Sequence, residues 1–153
     1  MNRHITKIPG KSEWAGYEAD LDVRYAYNLY FGKNIAEVQP FFGEMRSIER
    51  ADELLFAPRR VFQYYVFAFA EYLQSEPAMG DSDSASPFLH LLVEREKRDP
   101  GSVAQIYAEL APTVEYVASR QKYFDADPEI YGSFRELAEQ IEAVCNAPHV
   151  RRK

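Results

Sequence analysis

One cysteine, Cys145, is the whole thiol content of 153 residues. That scarcity excludes an intramolecular disulfide framework and any zinc site built from several cysteines. Histidine is almost as rare, with three; His4 and His149 stand near the chain ends, where solvation is expected. His90 and Glu94 lie one helical turn apart, but the inward Glu and Glu-x-x-His pattern of a helical di-iron site is missing. An ordinary i,i+4 surface contact is the expectation, with no metal and no cofactor. Positive charge is also in short supply: 18 Lys and Arg face 24 Asp and Glu, a formal charge of −6. A chain without a basic face lacks the usual phosphate footprint of nucleic-acid binding. Arg151-Arg152-Lys153 reads as the end of a frayed tail over 147–153. No apolar run is long enough for a membrane span, and the opening Met-Asn-Arg-His-Ile-Thr-Lys-Ile-Pro-Gly has no signal-peptide core. The expected setting is a reducing cytoplasm, away from membrane and nucleic acid.

What is present is a helix that must be surrounded. From Val61 to Leu73 the chain is apolar or aromatic on every side of a helical wheel, interrupted only by Gln63 and Glu71. A surface helix carries one apolar stripe, whereas one apolar all round belongs in a core. Pro58 suits the first turn, and Pro77 limits extension past Gln74 or Ser75. The predicted fold is all-α: one compact bundle of about five to seven helices around a central helix at about 58–75. A chain of this length buries roughly two-thirds of its unfolded surface as a single domain, without metal or disulfide.

The remaining elements follow from breakers and caps. Residues 1–16 read as an irregular arm that Trp14 pins to the body. Tyr17 to Phe31 reads as a well-buried helix, with Leu21, Tyr25 and Leu29 on one face and Gly32 ending it. Asn34 and Glu37 form a capping-box pair for a short helix weakened by Pro40. The stretch 47–56 fits a short helix or a turn followed by one. Residues 76–86, rich in Pro, Gly, Ser and Asp, read as a flexible loop. Pro87 then restarts a helix with Phe88, Leu89, Leu92 and Val93 inward and Glu94-Arg95-Glu96-Lys97-Arg98 solvated. A stripe from Val103 to Phe124 predicts one helix kinked at Pro112, or two closely joined. The last helix carries Phe134, Leu137, Ile141, Val144 and Cys145 inward, started by Ser133 with Glu136 in preference to Asp127-Pro128.

No catalytic motif survives inspection. Gly10-Lys11-Ser12 resembles the end of a phosphate loop, but Ile5 stands where the motif needs glycine, and no buried strand precedes it. Asp81-Ser82-Asp83 opens like a calcium loop yet lacks the turn glycine and closing glutamate. Cys145 continues an apolar face as a small hydrophobe. The residues that call for explanation are polar ones in apolar settings. A buried Gln63 needs partners for both ends of its amide, and a buried Glu71 needs a proton, a cation or a hydroxyl. Arg24, Arg59 and Arg60 are candidate cations. A structural polar seam accounts for these residues. The alternative is a ligand site lined by Gln63, Tyr64, Glu71, Tyr72 and Arg24, although adjacent Gln63 and Tyr64 point about 100° apart on a helix.

Eleven Tyr and ten Phe supply rings that pack and hydroxyls that seek water or a partner. Acidic charge, absent catalytic machinery and many tyrosines together point to a non-enzymatic protein-binding module with a basic partner, or to a homodimer. Small inhibitors and toxin-neutralising immunity proteins have similar size and composition. The alternatives are a sensing bundle with an aromatic pocket and, behind it, an enzyme with dispersed catalytic residues.

Overall fold

The computed structural model describes residues 7–147; the expectations for residues 1–6, for His4 and His149, and for the tail from 148 onward lie outside them. The described chain is an all-α bundle whose helices are α1 (Leu21–Tyr30), α2 (Ile35–Val38), α3 (Ser47–Phe56), α4 (Arg59–Leu73), α5 (Ser82–Arg98), α6 (Tyr107–Ala118), α7 (Pro128–Tyr131) and α8 (Phe134–Asn146). Six of these have ten or more residues, and no strand occurs among the described residues.

Helix α4 is the central helix that its composition demands. Every residue from Val61 to Leu73 is buried except Glu71. Pro58 precedes it, and its carbonyl accepts the first helical bond from Phe62 N–H at 2.9 Å. Around it pack α2 with the adjoining 3-10 turn Gln39–Phe42, then α3, α5 and α6. A run of rings fixes its depth: Phe42 stacks on Phe69, and Phe69 meets Phe88 edge-to-face at 5.2 Å. The Tyr65 hydroxyl lies 2.8 Å from the Tyr30 carbonyl and 2.7 Å from that of Lys33, so a core tyrosine serves the carbonyl end of α1.

Helix α5 joins two layers, packing on α3 along one side and on α8 along another. Ser47 and Ser84 meet at the start of α3 and α5. At the other end Arg95 donates to the carbonyls of Leu54, Leu55 and Ala57. These contacts set the two helices side by side and running in the same direction.

The structure changes four boundaries. The expected helix from Tyr17 to Phe31 is a 3-10 turn, Tyr17–Ala19, followed by α1. Asp20 adopts extended backbone and accepts from the Asp22 and Val23 amides, which starts a new helix there. Leu21 and Tyr25 are exposed, and Ala26 and Tyr30 form the buried face instead. Helix α5 begins at Ser82, not Pro87: Ser84, Ala85 and Ser86 are buried packing residues, and Ser84 meets Ser47 at the start of α3. The stripe from Val103 to Phe124 holds a 3-10 turn, Ala104–Ile106, and then α6. Pro112 sits in its sixth position without ending it, as Pro87 does in α5. Both starts proposed for the last helix are used: Asp127 caps α7, Gly132 at φ 76° turns the chain, and Ser133 caps α8.

The capping box of Asn34 and Glu37 forms with both hydrogen bonds in place. Trp14 is fully buried and meets Tyr27 edge-to-face at 5.4 Å, pinning the arm as its lone indole predicts. Cys145 is buried on α8, and burial pushes its thiol up to about 12, so it packs as a hydrophobe.

Candidate functional site

Of the five residues singled out on α4 and α1, Gln63, Tyr72 and Arg24 engage three different segments. Gln63 is fully buried and donates to the Ser102 carbonyl at 3.0 Å and to Gln105 Oε1 at 2.9 Å, tying α4 to the segment before α6. Tyr64 is buried edge-on against Tyr65. Glu71 is half-buried near the end of α4. The Tyr72 hydroxyl donates to Asp81 at 2.8 Å; burial, then that bond, raises it to about 12. Arg24 is exposed and reaches the Glu18 carbonyl. Of the cations considered as partners for Glu71, Arg59 pairs with Asp99 at 2.6 Å.

The charged run 94–98 is exposed at Glu94, Lys97 and Arg98 but not at the two residues between them. Arg95 and Glu96 are buried on α5. They continue the inward rows of Phe88–Leu92 and Leu89–Val93 at i+3 and i+4, and that spacing is the signal the charges concealed. Arg95 serves carbonyls at the end of α3, donates to Ser102 Oγ at 3.1 Å and lies over the Phe62 ring. Glu96 does the reverse: it accepts from the amides of Gly101, Val103 and Ala104 at 2.7–3.0 Å. Two neighbouring residues of opposite charge thus satisfy a carbonyl end and an amide end. Asp99 sits beside them; hydrogen bonds from Arg59 and then Ser102 hold its carboxyl down to about 2. Among the described residues, the hydrogen bonds of this hub run to backbone and side-chain groups of the same chain, while the Oε1 of neighbouring Gln63 is buried without a hydrogen-bond partner.

An open surface lies along α3. Its buried positions are Ser47, Arg50, Ala51 and Leu54, an i, i+3, i+4, i+7 stripe. Ile48, Leu55 and Phe56 are apolar residues off that stripe. Three clefts formed by described residues surround this helix. Between α3 and α5 lies a groove of about 150 Å³, its floor made by Ile48, Ala51, Leu55, Pro87 and Leu91 and its polar edge by Asp52, His90 and Glu94. Between α3 and α1 lies one of about 300 Å³, walled by Tyr25 and Phe56 among Asp22, Glu49, Asp52 and Glu53. A third, lined by Tyr25, Leu29, Phe41 and Arg46 among others, continues past the start of α3. Asp52 belongs to the first two and Tyr25 to the last two, so the clefts form one continuous face.

The electrostatics of this face are uneven. Glu49 lies 3.4 Å from Arg46 and 3.3 Å from the buried Arg50. Glu53 pairs with Arg50 and accepts from the Tyr30 hydroxyl, and burial pushes its carboxyl up against the pull of Arg50. Asp22, Asp52 and Glu94 pair with no cation among the described residues. Beside the face, Glu44 and Met45 both hold left-handed backbone at φ 56° and 65°. That conformation costs a non-glycine residue roughly 1–2 kcal/mol, and it leaves the Met45 side chain almost wholly in solvent.

Chemistry on the described residues is limited. No three His, Cys, Asp or Glu side chains gather as a metal site among them, His90 and Glu94 lining the α3–α5 groove included. No helix of the described residues is long and apolar enough to cross a membrane. Of the missed residues, Ile48, Asp52 and Phe56 become visible only once 47–56 is known to be a helix with a defined buried stripe, and Tyr25 only once Ala26 and Tyr30 are seen to form the buried face of α1. Comparison with protein-family models, with curated proteins and with solved structures finds no match to this chain.

Proposed function

We propose that the protein is a non-enzymatic protein-binding module, and that the face along α3 receives a partner with a basic surface. The observation that carries this reading is the set of exposed apolar side chains, Leu21 at 76%, Tyr25 at 57%, Ile48 at 56% and Phe56 at 42%, set among carboxylates on α1 and α3. Apolar anchors ringed by charge are the anatomy of a protein interface, with the anchors supplying affinity and the charged rim supplying orientation and rate. The formal charge of −6 adds long-range attraction for a basic partner. The sensing alternative has less support, because Gln63 and Tyr72 are engaged at opposite ends of α4 with different segments. The enzyme alternative also has less support, because Gln63, Tyr72 and Arg24 engage different segments among the described residues.

The test is capture of partners from source-cell lysate by the tagged protein, beside a variant carrying Tyr25→Ser and Ile48→Ser. A stoichiometric partner held by the native chain, lost from the variant and weakened by salt supports the reading. A partner held equally by both, or a native chain that emerges without a protein partner, sinks it.

A further inference from the structure

The groove between α3 and α5 specifies more than a basic partner. It is bounded by two helices running the same way, as the Ser47–Ser84 contact and the Arg95 bonds to the end of α3 establish. Along α3, Ile48, Ala51 or Asp52, and Leu55 recur at i, i+3/i+4 and i+7; along α5, Pro87, Leu91 and Glu94 do the same. Each row covers two helical turns, about 10 Å. The furrow between such rows accepts the matching ridge of a third helix, and Ala51 and Pro87 keep its floor low. No strand edge occurs among the described residues to recruit an extended peptide by backbone pairing. The polar edge selects the charge of the occupant: Asp52 and Glu94 flank the groove with no cation among the described residues to neutralise them.

On these grounds we infer that the α3–α5 groove binds an amphipathic basic helix of the partner protein. Two turns of its apolar stripe lie on Ile48, Leu55 and Leu91, and its Lys or Arg side chains reach Asp52 and Glu94. The inference rests on the protein-binding reading and narrows it to one kind of partner segment.

The probe is a synthetic peptide of about 18 residues, five helical turns, built from leucine and lysine in amphipathic order. A peptide of the same composition in scrambled order isolates charge from shape. Binding to the full chain is followed by fluorescence anisotropy and by amide chemical shifts. The amphipathic peptide should bind about tenfold or more tightly than the scrambled one, with shifts centred on Ile48, Ala51, Leu55 and Leu91. Ile48→Asp should abolish that preference, and Asp52→Lys should weaken binding of both peptides; both changes lie at the surface, and circular dichroism verifies that each variant is folded. Equal binding of the two peptides, or a preference that survives Ile48→Asp, overturns the inference. So does sedimentation showing a homodimer that Ile48→Asp dissociates, since the groove would then be covered by a second copy of this chain. A lysate partner that is lost from the Tyr25→Ser, Ile48→Ser variant while the peptides bind equally leaves the protein-binding reading standing and removes only the helical occupant.

Discussion

At the scale of single residues, the informative side chains are charges placed where the fold leaves backbone groups unpaired. Glu96 is buried and accepts from three amides ahead of α6. Glu96→Gln keeps the shape but turns one acceptor into a donor facing an N–H, so the loss should be about 2–3 kcal/mol. Urea denaturation measures it, and a loss below about 1 kcal/mol would show that water or a shifted loop replaces the carboxylate. Asp99 makes a pH prediction. Its carboxyl lies at about 2, below the ordinary 3.8, so its contribution to stability is complete above the unfolded value. That contribution disappears as pH falls through the folded one. The stability difference between native protein and Asp99→Asn should therefore hold from neutrality down to about pH 4 and shrink between about pH 4 and 2. Asp99 is 37% exposed, so screening keeps the effect modest. A difference that stays constant to pH 2 would contradict the pairing with Arg59.

At the scale of elements, the α3–α5 contact is where sequence and structure part most instructively. Ser82 to Ser86 has the composition of a loop, yet Ser84 and Ser86 are buried, and the smallness of Ser84 against Ser47 lets α3 and α5 approach. Ser84→Val should cost about 1–3 kcal/mol by overfilling that contact. Asp83→Ala, on the exposed side, should stay within about 0.5 kcal/mol; equal, silent effects in thermal unfolding would return the segment to a solvated loop. The central helix was legible because nothing but burial explains rings on every side of a helix. Caps at Asn34 and Ser133 were legible because their side chains act within three residues. Arg95 and Glu96 were not, since a charged pentapeptide reads as surface until distant carbonyls and amides are seen to meet it. Leu21 and Tyr25 failed for the opposite reason: their spacing is that of a buried stripe, but the face of α1 that packs inward is the one carrying Ala26 and Tyr30.

At the scale of the whole molecule, the candidate face could not be read from the chain, because it exists only where α1, α3 and α5 lie next to one another. Only its ingredients, excess acid and excess aromatic rings, were visible beforehand. Their segregation has a kinetic consequence that composition alone does not predict. Carboxylates at the edge act before contact, through attraction that reaches about 10 Å at moderate salt, whereas apolar anchors act after contact by excluding water. Once a partner is in hand, Asp52→Asn should lower its association rate severalfold and flatten the dependence of that rate on salt. Ile48→Ser should leave association nearly unchanged and raise dissociation about tenfold, and both variants should keep native stability to within about 0.5 kcal/mol. Stopped-flow association and surface-based dissociation measure the two rates separately. If Ile48→Ser slows association while Asp52→Asn hastens dissociation, the roles of edge and anchor are exchanged, and the partner must seat with Asp52 desolvated at the centre of the contact.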